Sequence, residues 1–305
     1  MPDFPVAFAA WSSRKLIALP IPTADLTDFP EKVPIVADAG MSEALATGYD
    51  IRFTDIDGNE LPYERESWAG GGGAAVTAIF WVKTDVATAG TYVWCYYGNA
   101  AAGDVSTTVG IPWQFIGAWL TRISPTILQK VGGNADWDSV AYSVEGYVAA
   151  CAISMRAGQT DKHCAMGLSA DPDDPTLSSI DYDWYFQPDG TCRVEVLTVN
   201  VGTHGNYTAN TVFLITYDGL YVRFYKDGVL KYEAARATGN ALYPDSAFYS
   251  ADSIINPVAF GPDEVWTTFA HDNQLAADGG LTWGAEEHQP TPVGGMKPMN
   301  LKMKL

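Results

Sequence analysis

The sequence predicts an all-β protein built as two tandem antiparallel β-sandwiches followed by an extended C-terminal arm. Glycine (29 residues) and proline (18 residues) recur throughout the 305-residue chain and interrupt short runs rich in Val, Thr, Tyr, Trp and Phe. This punctuation is typical of many short strands, and no long apolar pattern with a 3.6-residue period competes with it. Four Asp-Gly pairs, each a strong hairpin signal, lie between alternating apolar segments at 57–58, 189–190, 218–219 and 227–228.

Individual strands follow from this punctuation. The clearest hairpin joins residues 213–217 and 220–225 through Asp218-Gly219. Residues 180–186 also alternate, so the two-residue period of a strand places one set on a core face. The set expected in the core is Ile180, Tyr182, Trp184 and Phe186. A short segment around 42–47 is the only helix that the pattern predicts.

A change of composition divides the chain near residue 118. Residues 103–108 are small and polar, and an apolar pattern restarts at Ile111-Pro-Trp113. We therefore expect one sandwich over 1–118 and a second over 119–285. Residues 286–305 are rich in Pro, Gly, Met and Lys and show no strand period, which indicates an arm.

Charge excludes two classes of partner. The formal net charge is -18 and the isoelectric point is near 4.4, the wrong sign for binding nucleic acid phosphates or an anionic membrane surface. No apolar run has the ~18–20 residues that cross a bilayer. The first residues lack the basic segment and apolar stretch of a secretory signal, so we expect synthesis in the cytoplasm without export. The four cysteines should be buried thiols, although pairing of Cys164 with Cys192 stays open.

The first hundred residues resemble the DUF2341 family. The segment Asp50-Ile-Arg-Phe-Thr-Asp-Ile-Asp-Gly-Asn-Glu-Leu-Pro-Tyr-Glu-Arg-Glu-Ser-Trp68 is similar to the hallmark of that family. Three shorter motifs occur in the family's order: Leu26-Thr-Asp-Phe-Pro30, Phe80-Trp-Val-Lys83 and Tyr96-Tyr-Gly-Asn99. The resemblance implies a β-sandwich module of unassigned function, found in bacterial surface proteins and phage proteins, and it brings no catalytic residue.

Residues 120–262 resemble a module of bacteriophage tail and fibre proteins that is similar to jelly-roll, concanavalin-like or laminin G-like sandwiches. The motifs that carry this resemblance are Met166-Gly-Leu-Ser-Ala-Asp-Pro172, Ser179-Ile-Asp-Tyr-Asp-Trp-Tyr185, Ile215-Thr-Tyr-Asp-Gly219, Val222-Arg-Phe-Tyr-Lys-Asp-Gly-Val229 and Val258-Ala-Phe-Gly261. It implies a concanavalin-like fold and a place in a virion.

No enzyme motif is present in the sequence. It contains no zinc-binding HExxH, no GxSxG elbow and no phosphate-binding GxxxxGK[ST] loop, so we expect no enzymatic activity and no cofactor. Carboxylates of Asp171, Asp173 and Asp174 are the one weak candidate for a Ca²⁺ site, against a plain solvated turn. A pair of catalytic carboxylates assembled by the fold stays open.

Two outward strand faces are candidates for binding glycans. The strand at 180–186 should expose Asp181, Asp183 and Tyr185, and the strand at 220–225 should expose Tyr221, Arg223 and Tyr225. If both strands share a sheet, charged groups beside tyrosine rings would form a polar face suited to sugars, and an ordinary solvated face or subunit contact is the alternative. Trp137 lies in a turn-like segment and is either a ligand platform or a core residue.

The arm is the candidate for docking to a partner. Its apolar side chains, well suited to an irregular groove, are Met296, Met299, Leu301, Met303 and Leu305. Lys297, Lys302 and Lys304 make the arm basic, opposite in sign to the rest of the chain. We expect it to bind a neighbouring chain, with docking onto its own sandwich as the alternative.

Together these observations predict a non-enzymatic structural protein of a bacteriophage virion, in a tail, fibre or tail tip, with host glycans as a further ligand. Its expected partners are other virion proteins and further copies of itself. Two other functions stay open: a capsid head decoration protein, and a virion-associated enzyme that cleaves glycans. The sequence does not distinguish head from tail or give the symmetry.

Overall fold

The computed structural model describes residues 4–173, 176–236 and 239–289, and they form the all-β architecture that the sequence predicts. Short 3₁₀ turns occur at Val6–Phe8, Ala39–Met41 and Leu177–Ser179. The first seven strands belong to one sandwich: β1 (Ser13–Ala18), β2 (Leu26–Asp38), β3 (Arg52–Thr54), β4 (Glu60–Leu61), β5 (Tyr63–Gly71), β6 (Ala74–Val86) and β7 (Tyr92–Tyr97).

The next fifteen strands belong to the second half of the fold. They are β8 (Trp113–Ile116), β9 (Leu120–Ser124), β10 (Ile127–Lys130), β11 (Ser139–Ser143), β12 (Cys151–Met155), β13 (Cys164–Ser169), β14 (Tyr182–Phe186), β15 (Thr191–Val196), β16 (Val199–Asn206), β17 (Phe213–Tyr217), β18 (Tyr221–Lys226), β19 (Val229–Ala235), β20 (Tyr243–Phe248), β21 (Ile254–Ile255) and β22 (Val258–Gly261). A helix, α1 (Glu264–Leu275), and a last strand, β23 (Thr282–His288), follow.

The first sandwich packs a five-stranded sheet, in the order β23-β1-β7-β3-β4, against a three-stranded sheet, β2-β6-β5. Alternating residues of each strand fill the core between them. Phe53 lies at its centre, with its ring centroid 5.3 Å from that of Phe80 and 5.4 Å from that of Tyr63. These edge-on contacts make an aromatic core.

The second sandwich packs a seven-stranded sheet, β16-β15-β14-β13-β20-β11-β8, against a five-stranded sheet, β19-β18-β17-β12-β22. A small sheet, β21-β10-β9, lies beside it. Trp184 of β14 is fully buried and reaches across the core, 4.9 Å from Phe213 and 6.0 Å from Phe224 between ring centroids. Tyr182 and Phe186 share this core as predicted, whereas Ile180 precedes the strand and packs on the opposite face of the sheet.

Each of the four Asp-Gly pairs forms the predicted turn. They connect β3 to β4, β14 to β15, β17 to β18 and β18 to β19. The glycine has a positive φ in every case, between 73° at Gly228 and 94° at Gly219, a conformation that glycine adopts without steric cost. This part of the fold is therefore encoded locally.

The helix predicted at 42–47 was wrong, and the helix that forms lies elsewhere. Residues 42–47 make turns after the 3₁₀ segment at Ala39–Met41, whereas α1 spans Glu264–Leu275. Asp263 caps α1 by accepting a hydrogen bond from the Trp266 backbone N–H at 2.8 Å. On one side the helix gives Trp266 and Ala270 to the first core, and on the other it packs on β12 and β22.

The end of the chain also differs from the tandem arrangement with an arm starting at residue 286. Glu286, Glu287 and His288 are part of β23, which pairs antiparallel with β1 in the first sandwich. The second module therefore does not end the fold, because the chain returns to complete the sandwich in which it began. The predicted docking residues Met296, Met299, Leu301, Met303 and Leu305 lie outside the described residues.

The four cysteines, Cys95, Cys151, Cys164 and Cys192, are buried and unpaired. Burial raises the pKa of the Cys151 and Cys164 thiols to about 12, so both stay protonated at neutral pH. Within the described ranges, no helix is long and apolar enough to cross a bilayer.

Candidate functional site

A cleft of about 410 Å³ lies between the two sandwiches. Its walls come from β2 and β6 of the first sandwich, from the segments around residues 109–112 and 143–147, and from β22 with α1. The lining residues with aromatic or polar side chains are Thr27, Asp28, Trp81, Lys83, Thr126, Ser143, Glu145, Tyr147, Phe260, Trp266 and Gln274. Size, position between modules and a mixed apolar and polar lining are typical of small-ligand sites.

The wall formed by β6 follows from strand alternation. Phe80 points into the first core, so Trp81 and Lys83 point to the other face of the sheet and line the cleft. The indole N–H of Trp81 donates to Glu66 Oε2 at 2.6 Å, which fixes the ring. Lys83 Nζ lies 3.5 Å from Asp28 Oδ1 in an exposed pair, so both charged groups can reach a ligand.

The wall formed by α1 depends on one large ring. Trp266 packs against Phe29 with centroids 5.1 Å apart, and a Cβ at Gly261 would lie only 2.1 Å from the Trp266 ring. Only glycine allows this close approach. Gln274, the second-to-last residue of the helix, also lines the cleft, and its buried Oε1 has no hydrogen-bond partner.

The third wall places a tyrosine beside a carboxylate. Tyr147 packs against Phe260 with ring centroids 5.2 Å apart, and an isolated bridge to Leu242 holds its backbone. Burial, reinforced by the nearby Glu145 carboxylate, raises the pKa of the Tyr147 phenol, which therefore remains a neutral donor and acceptor at neutral pH.

A bidentate ion pair fastens the two modules below the cleft. Arg122 of β9 donates from Nη1 and Nη2 to the two oxygens of Glu64 on β5, at 2.6 and 2.8 Å. Glu64 also accepts from the Val109 backbone N–H at 3.2 Å. Fork-to-fork pairing of this kind fixes orientation as well as distance, so the cleft walls keep a defined spacing.

The shared glycan face expected from Asp181, Asp183, Tyr185, Tyr221, Arg223 and Tyr225 does not form. The strand β14 belongs to the seven-stranded sheet and β18 to the five-stranded sheet. Their inward residues, Trp184 and Phe224, face each other across the core, so their outward residues lie on opposite surfaces of the sandwich. Sugar binding by either half alone stays a prediction.

The outward face of β14 is covered, where a solvated face was expected. Asp183 is 1% exposed and Asp245 is fully buried, and they flank Gly167 in register across β13. The 3₁₀ turn at Leu177–Ser179 folds over this row, and the Ser179 hydroxyl donates to Asp245 Oδ2 at 2.8 Å. Desolvation, with repulsion from Glu195, raises the pKa of Asp183 well above its usual range. Asp181 is half-buried and accepts from the backbone N–H of Ala170 at 2.9 Å.

Trp137 and Tyr185 do meet, but as packing partners. Their ring centroids are 5.5 Å apart, and His163 and Tyr249 complete the cluster at 5.6 Å from Tyr185 and 5.3 Å from Trp137. The Arg193 guanidinium stacks 3.9 Å from the Tyr185 ring centroid. Of the two alternatives left open for Trp137, the structure supports the packed one, on the outer side of the sheet.

The outward residues of β18 are the accessible half of the expected face. Tyr221 is 39% exposed, and Tyr225 is partly exposed. Arg223 is committed to two carboxylates, at 2.5 Å from Asp218 Oδ2 and 2.6 Å from Glu233 Oε2. Its hydrogen bond is the main reason that the pKa of Asp218 falls to about 2.

The expected weak Ca²⁺ ligands are not gathered by the part of the fold that the structure describes. Asp171 accepts from the Ser169 hydroxyl at 3.3 Å, and Asp174 lies outside the described residues. Among the described residues, one group of candidate metal ligands lies elsewhere. Ligand atoms of Glu43, Glu286 and His288 lie within 4.8 Å of one another near the end of β23.

One family model matches part of the chain. The model of DUF2341, a domain of unknown function, matches residues 47–113, which confirms the resemblance seen in the sequence. No curated protein matches the chain.

Solved structures with partial similarity include the carbohydrate recognition domain of Emp47p, at 13% identity over 52% of this chain and 92% of that one, with a TM-score of 0.38. The SPRY domain of human HERC1 is 18% identical over 44% and 87% of the two chains, with a TM-score of 0.33. The Ca²⁺-bound lumenal domain of VIP36 is 9% identical over 51% and 86%, with a TM-score of 0.37. Similarities this low carry no functional inference.

Proposed function

We propose that this chain is a non-enzymatic structural component of a bacteriophage virion and that it binds a glycan in the cleft between its two sandwiches. The observation that carries the binding site is the cleft itself, which combines aromatic walls with unpaired or loosely paired polar groups. The tail, fibre or tail tip is the proposed location. This placement in a virion depends on the sequence resemblance of residues 120–262 to tail and fibre modules.

A saccharide fits the chemistry of the cleft. Sugar rings present C–H faces that pack on aromatic side chains and a rim of hydroxyls that need donors and acceptors. In the cleft the partly exposed ring of Tyr147 can pack on such a face, whereas Trp81 and Trp266 are almost buried, at 3% and 8% exposed. The Lys83 ammonium supplies donors, and the exposed Glu145 carboxylate supplies acceptors. The volume of about 410 Å³ is within the range of small-ligand sites.

A glycan array probed with the full chain, followed by calorimetry on any glycan retained, tests the binding site. We expect Lys83→Ala and Glu145→Gln each to weaken binding about tenfold, because each removes a polar contact worth roughly 1.4 kcal/mol. Arg223→Ala tests the alternative site on the exposed face of β18 and should leave affinity unchanged if the cleft binds the glycan. Absence of any retained glycan refutes the glycan role, and loss of binding only in Arg223→Ala refutes the cleft.

Incubation of the chain with any glycan that it retains tests the enzymatic alternative. Glycoside hydrolysis needs two carboxylates, and Asp28 and Glu145 both line the cleft. Released reducing ends that disappear in Glu145→Gln would contradict the non-enzymatic proposal.

Antibody labelling of purified virions tests the proposed location of the chain in the tail. Label on the tail supports the proposal, label over the head favours a decoration protein, and absence of label refutes a virion role.

A further inference from the structure

A buried carboxyl group joins β2 to α1. Glu31 is fully buried and Asn273 is 7% exposed, and the amide Nδ2 of Asn273 donates to Glu31 Oε1 at 2.5 Å. The two remaining polar atoms of this pair, Glu31 Oε2 and Asn273 Oδ1, are both buried and both lack a hydrogen-bond partner. A native core seldom leaves two adjacent polar atoms unsatisfied.

The two unsatisfied atoms complement each other if Glu31 carries a proton. An ionised carboxylate only accepts, as does an amide oxygen, so Oε2 and Oδ1 cannot bond to each other in that state. A proton on Oε2 turns it into a donor for Oδ1. The acid and the amide then exchange two hydrogen bonds in a closed ring, and all four polar atoms are satisfied.

We propose that Glu31 is held as a neutral acid in a cyclic pair with Asn273, and that this pair is a pH-sensitive latch between α1 and the first sandwich. Desolvation points the same way, since it raises the pKa of Glu31 to about 8 even though the Asn273 hydrogen bond acts in the opposite direction.

The charged groups around Glu31 are engaged elsewhere. On its own strand, Lys32 Nζ donates to the backbone carbonyls of Gln274 and Ala276, at 2.9 and 3.3 Å. On the neighbouring β6, Lys83 faces Asp28.

On α1 itself, His271 Nδ1 shares a hydrogen bond of 2.9 Å with the Ser154 hydroxyl of β12, and Asp272 is exposed. Each of these groups has its own partner or is solvated. The protonation state of Glu31 therefore depends mainly on whether α1 covers its carboxyl group.

The latch bears on the cleft because the same elements form its walls. Trp266 and Gln274 come from α1, and Thr27 and Pro30 come from β2. When Glu31 ionises, a buried charge faces an amide oxygen, and the helix separates from the strand to let water in. This inference does not depend on what occupies the cleft.

The proton balance sets the expected pH dependence. The open state has an ordinary pKa of 4.5 and the closed state one of about 8, so the closed state binds one more proton between these values. The equilibrium constant for opening then rises about tenfold per pH unit up to about pH 8 and levels off above it.

Hydrogen exchange of the full chain, followed by mass spectrometry of peptides covering 264–275, tests the proposal between pH 6 and 9. After correction for intrinsic exchange rates, protection of α1 should fall by up to about a hundredfold from pH 6 to pH 8. Glu31→Gln keeps a donor and an acceptor in the same positions and should abolish this fall in protection. Glu264→Gln, which removes an exposed carboxyl from the same helix, should retain the wild-type dependence.

A second measurement keeps the proposal testable if Glu31→Gln does not fold. Infrared spectra of the wild-type chain should contain the carbonyl band of a protonated carboxylic acid at pH 7, and this band should disappear above pH 8. Protection of α1 that does not change between pH 6 and 8, or a spectrum without that band at pH 7, overturns the latch.

Discussion

The last three residues of β23 should stabilise the first sandwich, and a chain ending after Ala285 removes them. Tyr97, fully buried, donates its hydroxyl to Glu286 Oε1 at 2.7 Å, and loss of that acceptor costs about 1–3 kcal/mol. Arg14, 3% exposed, pairs with Glu287 at 2.9 Å, and loss of a hydrogen bond to a charged group costs about 1.5–3 kcal/mol. Together these terms predict a loss of about 2.5–6 kcal/mol of unfolding free energy.

Thermal and urea unfolding of three chains measures this effect. The chain ending after Gln289 is the matched control, because it keeps every β23 pair and the Gln289 N–H bond to the Ser12 carbonyl. It should have the same melting temperature as the full-length chain. The chain ending after Ala285 should melt roughly 10 °C lower, since each kcal/mol shifts the midpoint by about 2–4 °C in a protein of this size. Equal midpoints for all three would refute the assignment of residues 286–288 to the folded body.

Three further predictions concern other parts of the fold. The free energy of unfolding should decrease by up to about 3 kcal/mol as pH falls from 6.5 to 4, because burial lowers the pKa of His271 to about 4 and the unfolded chain binds the extra proton. Urea unfolding at several pH values measures this decrease, which His271→Asn should lack. Gly167→Ala should lower the thermal midpoint strongly or abolish folding, because its Cβ would lie 1.8 Å from the Tyr182 carbonyl oxygen. The fragment 1–118 should show no cooperative melt, since its core lacks Trp266, whereas a cooperative melt would mean that the first sandwich folds alone.

The strands and hairpins could be predicted from the sequence because their signals are local. A two-residue period and an Asp-Gly pair specify a strand and its turn within about ten residues, as in the β17–β18 hairpin. Which strands become neighbours in a sheet is a non-local property. Both β14 and β18 alternate correctly, yet they lie in opposite sheets, and their sequences carry no signal for that choice.

The helix and the returning strand were missed for different reasons. Asp263 followed by Glu264 and an apolar Trp266 is a helix start that could have been recognised, although α1 packs on both sides and so lacks a clean one-sided pattern. Residues 282–288 have short, polar alternation, and their only partner in the sheet is β1, more than 260 residues earlier in the chain. No local pattern encodes such a partner.

The cleft had one signal in the sequence. Trp81 occupies the polar-facing position between two core residues in the segment 80–83, and a large ring at such a position must be covered by another part of the protein or by a ligand. The other walls come from residues 27–30, 143–147 and 258–274, which only the complete fold brings together. Its composition therefore could not be read from any single segment.

The two sandwiches are attached to each other at several separate points, and this limits how far the cleft between them can open. The chain crosses between the sandwiches after β7 and returns through α1 to β23, so two covalent connections span the cleft. The Glu64–Arg122 pair and the contacts of α1 with β2 and β12 add two non-covalent attachments. A single linker would allow the modules to hinge, but attachments at separate points resist rotation about any one of them. The cleft is thus formed before a ligand arrives, and binding there loses little free energy to ordering of its walls.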